Sequence, residues 1–278
     1  MRIVHLSDIH LCRPWRAGTL RGKRIAGGLN WLLKRQWLHD PAAWTRTVEA
    51  LVADPPDVLA CTGDLCQLGS APELAAAAAG LDRIADAGAT VLYVPGNHDH
   101  YLAGDPEADR LRGALCTRYG GADPVPGLRI HRVGAVEFVL LDQATPQSLT
   151  RSAGRMTPAQ WKELERLSAE PALGAGGLDP IRIVLGHYPV VRPDGAPLGP
   201  QRGLEDAAQL VHLLDALRAR LYLCGHLHTA YEQPLRGGGQ QLVAGSLTHR
   251  RTRFEIRIEA GTVTWALAAG APNAGTSA

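Results

Sequence analysis

The chain has 278 residues, with 29 basic and 27 acidic side chains and a formal balance of +2. That balance excludes a polyanion binder that works by bulk charge. The 45% apolar and 20% charged residues exclude global disorder. No apolar run reaches the roughly 18 residues that span a bilayer. The opening Met-Arg-Ile-Val-His-Leu enters a strand pattern at once, so no secretory leader is expected. The cysteines, Cys12, Cys61, Cys66, Cys116 and Cys224, are odd in number and form no CxxC pair, which fits a reducing cytoplasm.

Taken in chain order, residues 3–6, 58–61, 91–94, 136–141, 181–185 and 221–224 read as buried strands. Each is short, rich in Val, Ile and Leu, and bounded by Gly, Pro or Asp. Helices alternate with them. Residues 41–53 follow Asp40 as N-cap and Pro41 at the first position. Residues 72–87 are Ala-rich and stop at Gly88. Thr157 and Gln160 make a capping box ahead of Trp161, Leu164 and Leu167. Residues 204–219 carry Leu210, Leu213, Leu214 and Leu217 at helical spacing. Short strands at 241–244, 254–258 and 263–266, with Gly261 in a hairpin, predict an antiparallel closing element. The glycines at 174–177 and 237–239 read as loops, and 269–278 as a disordered tail. This alternation argues for an α/β layered fold, with residues 1–268 as a single domain.

The residues just past these strands carry the chemistry. They are Asp8-Ile9-His10, Gly63-Asp64, Gly96-Asn97-His98-Asp99, Gly186-His187 and Gly225-His226-Leu227-His228. In an open α/β sheet, ligands bind at that carboxyl edge, and a preceding Gly permits a sharp turn. Two carboxylates, an amide oxygen and four imidazoles suit borderline divalent metals: Mn, Fe, Co, Ni or Zn. One ion does not need seven ligands, whereas two ions about 3.5–4 Å apart would use them, with one carboxylate bridging. Two dications, less two aspartates and a hydroxide, leave a site near about +1 that attracts a phosphate ester. His5, His39, His131, His212 and His249 read instead as capping or core histidines.

The set DxH, GD, GNHD, GH and GHxH resembles the calcineurin-like metallophosphoesterases over residues 1 to about 250, with every element present. The resemblance implies a four-layered αββα sandwich around two divalent ions, Mn, Fe, Zn or Co, with Mn or Fe favoured. It assigns Asp8, His10 and His228 to one ion, and Asn97, His187 and His226 to the other, with Asp64 as the bridge. His98 is similar to the family's non-ligand histidine, which contacts the phosphoryl oxygen or protonates the leaving group; Asp99 is expected to orient it. Gly245-Ser246 is similar to the family's closing strand. The implied reaction is in-line hydrolysis of a phosphodiester or pyrophosphate bond by a bridging hydroxide. Protein phosphatases typically show GNHE at the third motif, which this chain lacks.

The substrate question turns on an insertion at 13–38. Arg13, Arg16, Arg21, Lys23, Arg24, Lys34 and Arg35 alternate there with Trp15, Leu20, Ile25, Leu29, Trp31, Leu32, Leu33, Trp37 and Leu38. Ile25, Leu29 and Leu32 share one helical face, and four of the six tryptophans lie in the first 44 residues. Basic residues among Trp and Leu describe a segment lying on a membrane surface. The competing reading is an amphipathic cap that buries its apolar face while its Arg stems snorkel. Gly27 and Gly28 interrupt the helix pattern and suggest a hinged lid. The insertion looks like those that admit acyl chains in the UDP-diacylglucosamine pyrophosphatases of the same superfamily. The resulting expectation is a cytoplasmic hydrolase, peripheral to the membrane, acting on a lipid-linked or nucleotide substrate and not on nucleic acid. Its rivals are a soluble cyclic-nucleotide phosphodiesterase and a non-catalytic scaffold of the same fold.

Overall fold

Alternation within each strand decides the layers. In β2 (Val58–Cys61), Val58 and Ala60 turn one way, while Leu59 and Cys61 turn the other. The same split runs through β1 (Arg2–Leu6), β3 (Thr90–Tyr93), β5 (Val136–Leu141), β6 (Ile181–Leu185), β7 (Leu221–Cys224) and β9 (Gln240–Val243). Both faces of these strands are apolar, so both must be covered. The computed structural model describes residues 1–13, 20–121, 123–148, 150–169 and 180–269. Trp15, Arg16, the glycines at 174–177 and the tail beyond Ala269 lie outside the described residues.

Two sheets stack face to face. With β4 (Leu128–Val133), β8 (Tyr231–Pro234), β10 (Thr252–Glu259) and β11 (Thr262–Ala269) added, the first runs β11-β10-β1-β2-β3, and the second runs β4-β5-β6-β7-β9-β8. Their inner faces meet in a core that includes Ile3, Ala60, Leu92, Phe138, Leu185, Leu223 and Phe254. The outer face of the first sheet is covered by α2 (Pro41–Ala53), α3 (Ala71–Asp86) and α4 (Pro106–Arg118). The outer face of the second is covered by α5 (Pro158–Ala169) and α6 (Ala207–Ala216). This is the four-layered αββα sandwich. β1, β2 and β3 are parallel neighbours, as are β5, β6, β7 and β9, so their carboxyl ends share one edge of the stack.

The antiparallel closing element is β8 (Tyr231–Pro234) against β9, and β10 (Thr252–Glu259) against β11 (Thr262–Ala269). Gly261 takes a φ of +83° in the turn between the last two. Ala269, expected in a disordered tail, instead pairs with Thr252 as the last residue of β11. Among the described residues, one α-helix and two strands have no counterpart in the sequence patterns: α4, β4 (Leu128–Val133) and β8. Helix α4 buries only Ala108 and Leu115, so its apolar signal is faint, although Asp105 caps it by accepting from the Ala108 amide. β4 and β8 are edge strands with polar alternation. Helix α6 starts later than its leucine spacing suggests, because Asp206 sits at φ 58° and breaks the run.

Candidate metal centre

Five strand ends deliver the motif residues to one place. Asp8 and His10 leave β1, Asp64 leaves β2, Asn97 and His98 leave β3, His187 leaves β6, and His226 and His228 leave β7. The backbone turns sharply there. Asp8, His10, Asp64, His226 and His228 all have φ between 50° and 72°, a left-handed conformation that costs a non-glycine residue of order 1 kcal/mol or more. The motif glycines allow close approach: a Cβ on Gly96 would run into the Asp64 carboxylate, and one on Gly225 into that of Asp8.

The side chains form two groups that share Asp64. One contains Asp8, His10, Asp64 and His228, and the other Asp64, His187 and His226; within each, one ligand atom per residue lies within 4.8 Å of the others. His10 Nε2 stands 2.9 Å from His228 Nε2 and 3.7 Å from Asp64 Oδ2. His228 Nε2 is 3.3 Å from Asp8 Oδ1. On the other side, His187 Nε2 is 3.6 Å from Asp64 Oδ2 and 3.2 Å from Asn97 Oδ1. The predicted ligands therefore converge.

The donor set fits a pair of cations. Asp8 Oδ1 and His226 Nε2 are buried without a hydrogen-bond partner, a costly arrangement unless something electrophilic meets them. The Thr62 carbonyl accepts from His187 Nδ1 at 2.7 Å, which leaves the Nε2 lone pair free to ligate. Electrostatics agree. Burial raises the Asp64 carboxyl, with Asp8 and Asp99 adding to it. Burial also opposes ionisation of Asp8, but contacts with His10 and His228 hold it well below the usual carboxylate range. Burial pushes His226 down to about 3 and holds His10 well below its usual value. His187 is the exception: burial opposes its charge, yet the Asp64 carboxylate beside it raises it to about 9.

His98 joins the cluster, its ring 4.6 Å from that of His10 and its amide donating to Asp64 Oδ1 at 2.7 Å. The expectation that Asp99 orients His98 is corrected here. The Gln67 carbonyl accepts from His98 Nδ1 at 2.6 Å. Asp99 instead accepts from the amides of Cys66 and Gly96, the Cys66 thiol and the Tyr93 hydroxyl, and so ties the β2 and β3 loops together. Two histidines assigned to ordinary packing also lie at the centre. His39 sits 5.2 Å from the His10 ring and contacts Thr248 Oγ1 through Nδ1, while His249 lines the cavity above. His5 behaves as expected, bound to Thr62 Oγ1 at 2.9 Å. Gln143 escaped the sequence reading altogether: its Oε1 accepts from the amides of His187 and Tyr188 and fixes that turn. No motif spacing signals Gln143 or His39, because both arrive through tertiary packing.

A cavity of about 480 Å³ opens above the cluster. One wall is α1 (Lys23–Leu33), which presents Lys23, Gly27 and Asn30 to it. Its buried face is Arg24, Gly27 and Gly28, while Ile25, Leu29, Leu32 and Leu33 are exposed. Leu33 is 79% exposed, and Trp37 just beyond the helix 81%. The cap reading, in which the apolar face is buried, is therefore overturned. So is the hinged lid. The helix runs unbroken through both glycines, and Gly27 allows Tyr101 and Leu68 to pack against its backbone. The Arg24 guanidinium, 2% exposed, donates to the carbonyls of Leu68 and Gly69 and to Asp105 Oδ2, pinning α1 in place.

The chain belongs to the calcineurin-like phosphoesterase family, whose model matches residues 1–230. Family and site together make it a metal-dependent phosphoesterase. No curated protein sequence matches it. Among solved structures it is similar to the purple acid phosphatase PPD1 of yellow lupin seeds, at 14% identity and a TM-score of 0.57, over 92% of this chain and 48% of that one. The chain thus spans about half of the lupin protein. It is also similar to a dimetal phosphatase from Danio rerio, at 12% identity and a TM-score of 0.52, over 92% and 94% of the two chains. A third is a protein of Thermus thermophilus, at 15% identity and a TM-score of 0.53, over 95% and 97%. At these identities the likeness carries the fold. Among the described residues, no helix is long and apolar enough to cross a membrane.

Proposed function

We propose that residues 1–268 form one catalytic domain that hydrolyses a phosphodiester or pyrophosphate bond in an amphiphilic substrate at a membrane surface. In this reading Asp8, His10 and His228 hold one divalent cation, Asn97, His187 and His226 hold a second, and Asp64 serves both, with Mn or Fe favoured by the family resemblance. Bound there, the pair supplies Lewis acidity and an activated water.

The chain's own groups do the rest. A water oxygen bonds to phosphorus, the bridging P–O bond breaks, and the leaving oxygen takes a proton; no covalent enzyme intermediate forms. His98 is placed for that proton. Its Nδ1–H is committed to the Gln67 carbonyl, so Nε2 is the atom available to the substrate. Burial and the neighbouring His10 hold the ring well below its usual value. An arriving phosphoryl group favours the charged ring, so the proton comes with the substrate.

The observation that carries the membrane reading is the outward apolar face of α1 on the wall of the cavity. Residues 13–38 contain seven basic side chains and no acidic one, a composition complementary to anionic lipid. Sedimentation with phosphatidylglycerol vesicles tests it. The wild type is expected to co-sediment, and a Leu33→Asp, Trp37→Asp double variant to lose at least about tenfold in partitioning. A wild type that stays in the supernatant, yet hydrolyses cyclic nucleotides, would favour the soluble phosphodiesterase.

A further inference from the structure

The chain is almost neutral, but its cavity is not. Five cationic side chains line it: Lys23, Arg35, Arg151, Arg202 and Arg250. They come from α1, from the turn behind it and from three separate loops, so no local sequence run produces the cluster. Asp64, part of the metal centre, is the one carboxylate on the wall among the described residues.

Most of these cations are not consumed by acidic partners. Lys23 lies over the Tyr101 ring at 4.4 Å and reaches the Gln147 carbonyl. Arg35 donates to the neutral Gln67 side chain at 3.3 Å. Arg151 pairs with Glu205 at 2.6 Å, outside the cavity lining. Among the described residues, the Arg202 and Arg250 side chains meet no carboxylate within ion-pair distance. Three of the cations also act on residues of the metal centre. The field of Lys23 reaches Asp64, that of Arg35 reaches His98, and that of Arg202 reaches His226.

Two cations in the metal centre already match one phosphate. The four further cations that have no acidic partner, Lys23, Arg35, Arg202 and Arg250, exceed what a single phosphodiester, with one negative charge, can balance. A cavity lined mostly with one sign of charge concentrates ligands of the opposite sign, and guanidinium groups bind phosphate oxygens through paired donors. We infer that Arg202 and Arg250 form a second anion subsite, and that the substrate carries a second phosphate beside the scissile one. This rests on the phosphohydrolase reading above and narrows its substrate to molecules with two phosphates.

The test compares the metal-loaded wild type with an Arg202→Gln, Arg250→Gln double variant and with the Lys, Lys counterpart. Bis-p-nitrophenyl phosphate supplies one phosphate. A sugar nucleotide diphosphate supplies two in soluble form, and a long-chain alkyl nucleoside diphosphate in mixed micelles supplies two on a lipid. The Gln variant is expected to lose at least about tenfold more kcat/KM on the two-phosphate substrates than on the single-phosphate one, through KM, with partial rescue by Lys. Whichever two-phosphate arm is faster in the wild type identifies the source. Equal losses on all three substrates would overturn the subsite. Calorimetry supplies a readout without turnover: methylenediphosphonate should bind more tightly than methylphosphonate, and the Gln variant should erase most of that difference. If none of the three substrates is hydrolysed, the proposed function falls, and the calorimetric comparison alone decides whether Arg202 and Arg250 bind a second phosphate.

Discussion

At the floor of the cavity, ionisable side chains are buried, several with backbone φ in the left-handed region. On its α1 wall, Ile and Leu side chains face solvent, as does Trp37 just beyond the helix, while Arg24 and two glycines are buried. Each region inverts the ordinary partition of polar outside and apolar inside. The floor does so with every group aimed at a common centre, and α1 does so on a helix held by a buried guanidinium. Inversions of this kind cost folding free energy, so they mark places where function rather than stability chose the residue. In the proposed reading the floor selects a reaction, and the wall selects where the substrate comes from.

The comparison breaks most sharply at Asp64. Asp64→Asn keeps the shape but removes the charge common to both ligand groups, and turnover should fall by more than about a hundredfold. His98→Ala should also cut turnover, while metal analysis still finds two ions per chain; loss of an ion in that variant would make His98 structural. Neither change should alter vesicle partitioning, which the proposal assigns to α1.

A second effect concerns protons. In the metal-free chain His187 is raised to about 9, so at neutral pH it carries a proton. Ligation needs the neutral ring, so that proton must leave. The affinity of that cation position should therefore rise about tenfold per pH unit from neutrality up to the His187 value, then level off. Calorimetry in buffers of different ionisation enthalpy should show about one proton released at pH 7. No release would mean that Asp64 does not charge His187.

The smallest effect lies in the wall. Gly27→Ala would place a methyl 2.8 Å from Leu68 Cδ2 and against the Tyr101 phenol. The expected cost is about 1–3 kcal/mol in thermal unfolding, with metal content unchanged. An unchanged melting temperature would show that α1 is not seated as described.

The legible part of the molecule was the part governed by period and punctuation. The inner strands alternate against two apolar layers, so they stand out, and Asp40-Pro41 marks the start of α2 at its true position. The motif residues were readable because each follows a strand whose end the sheet order fixes. What escaped depends on neighbours distant in sequence. Ile25, Leu29 and Leu32 share a face by spacing alone, but only Arg24 reaching Leu68 and Asp105 turns that face outward. Asp99 sits beside His98 in sequence, yet the loop tie to Cys66, Tyr93 and Gly96 claims its carboxylate. His39 reaches His10 from the turn before α2, a meeting that no local pattern encodes.

The Arg24 guanidinium has a mechanical consequence. It grips the peptide carbonyls just past Asp64 and the carboxylate of Asp105 beyond the His98 loop, so it works as a tether between helix and catalytic loops. Prying the helix away would withdraw the guanidinium with it, leave the Leu68 and Gly69 carbonyls and the Asp105 carboxylate without their donor, and slacken both loops at once. Whatever α1 rests on therefore bears on a stiff lever whose short arm ends in the loop that carries Asp64.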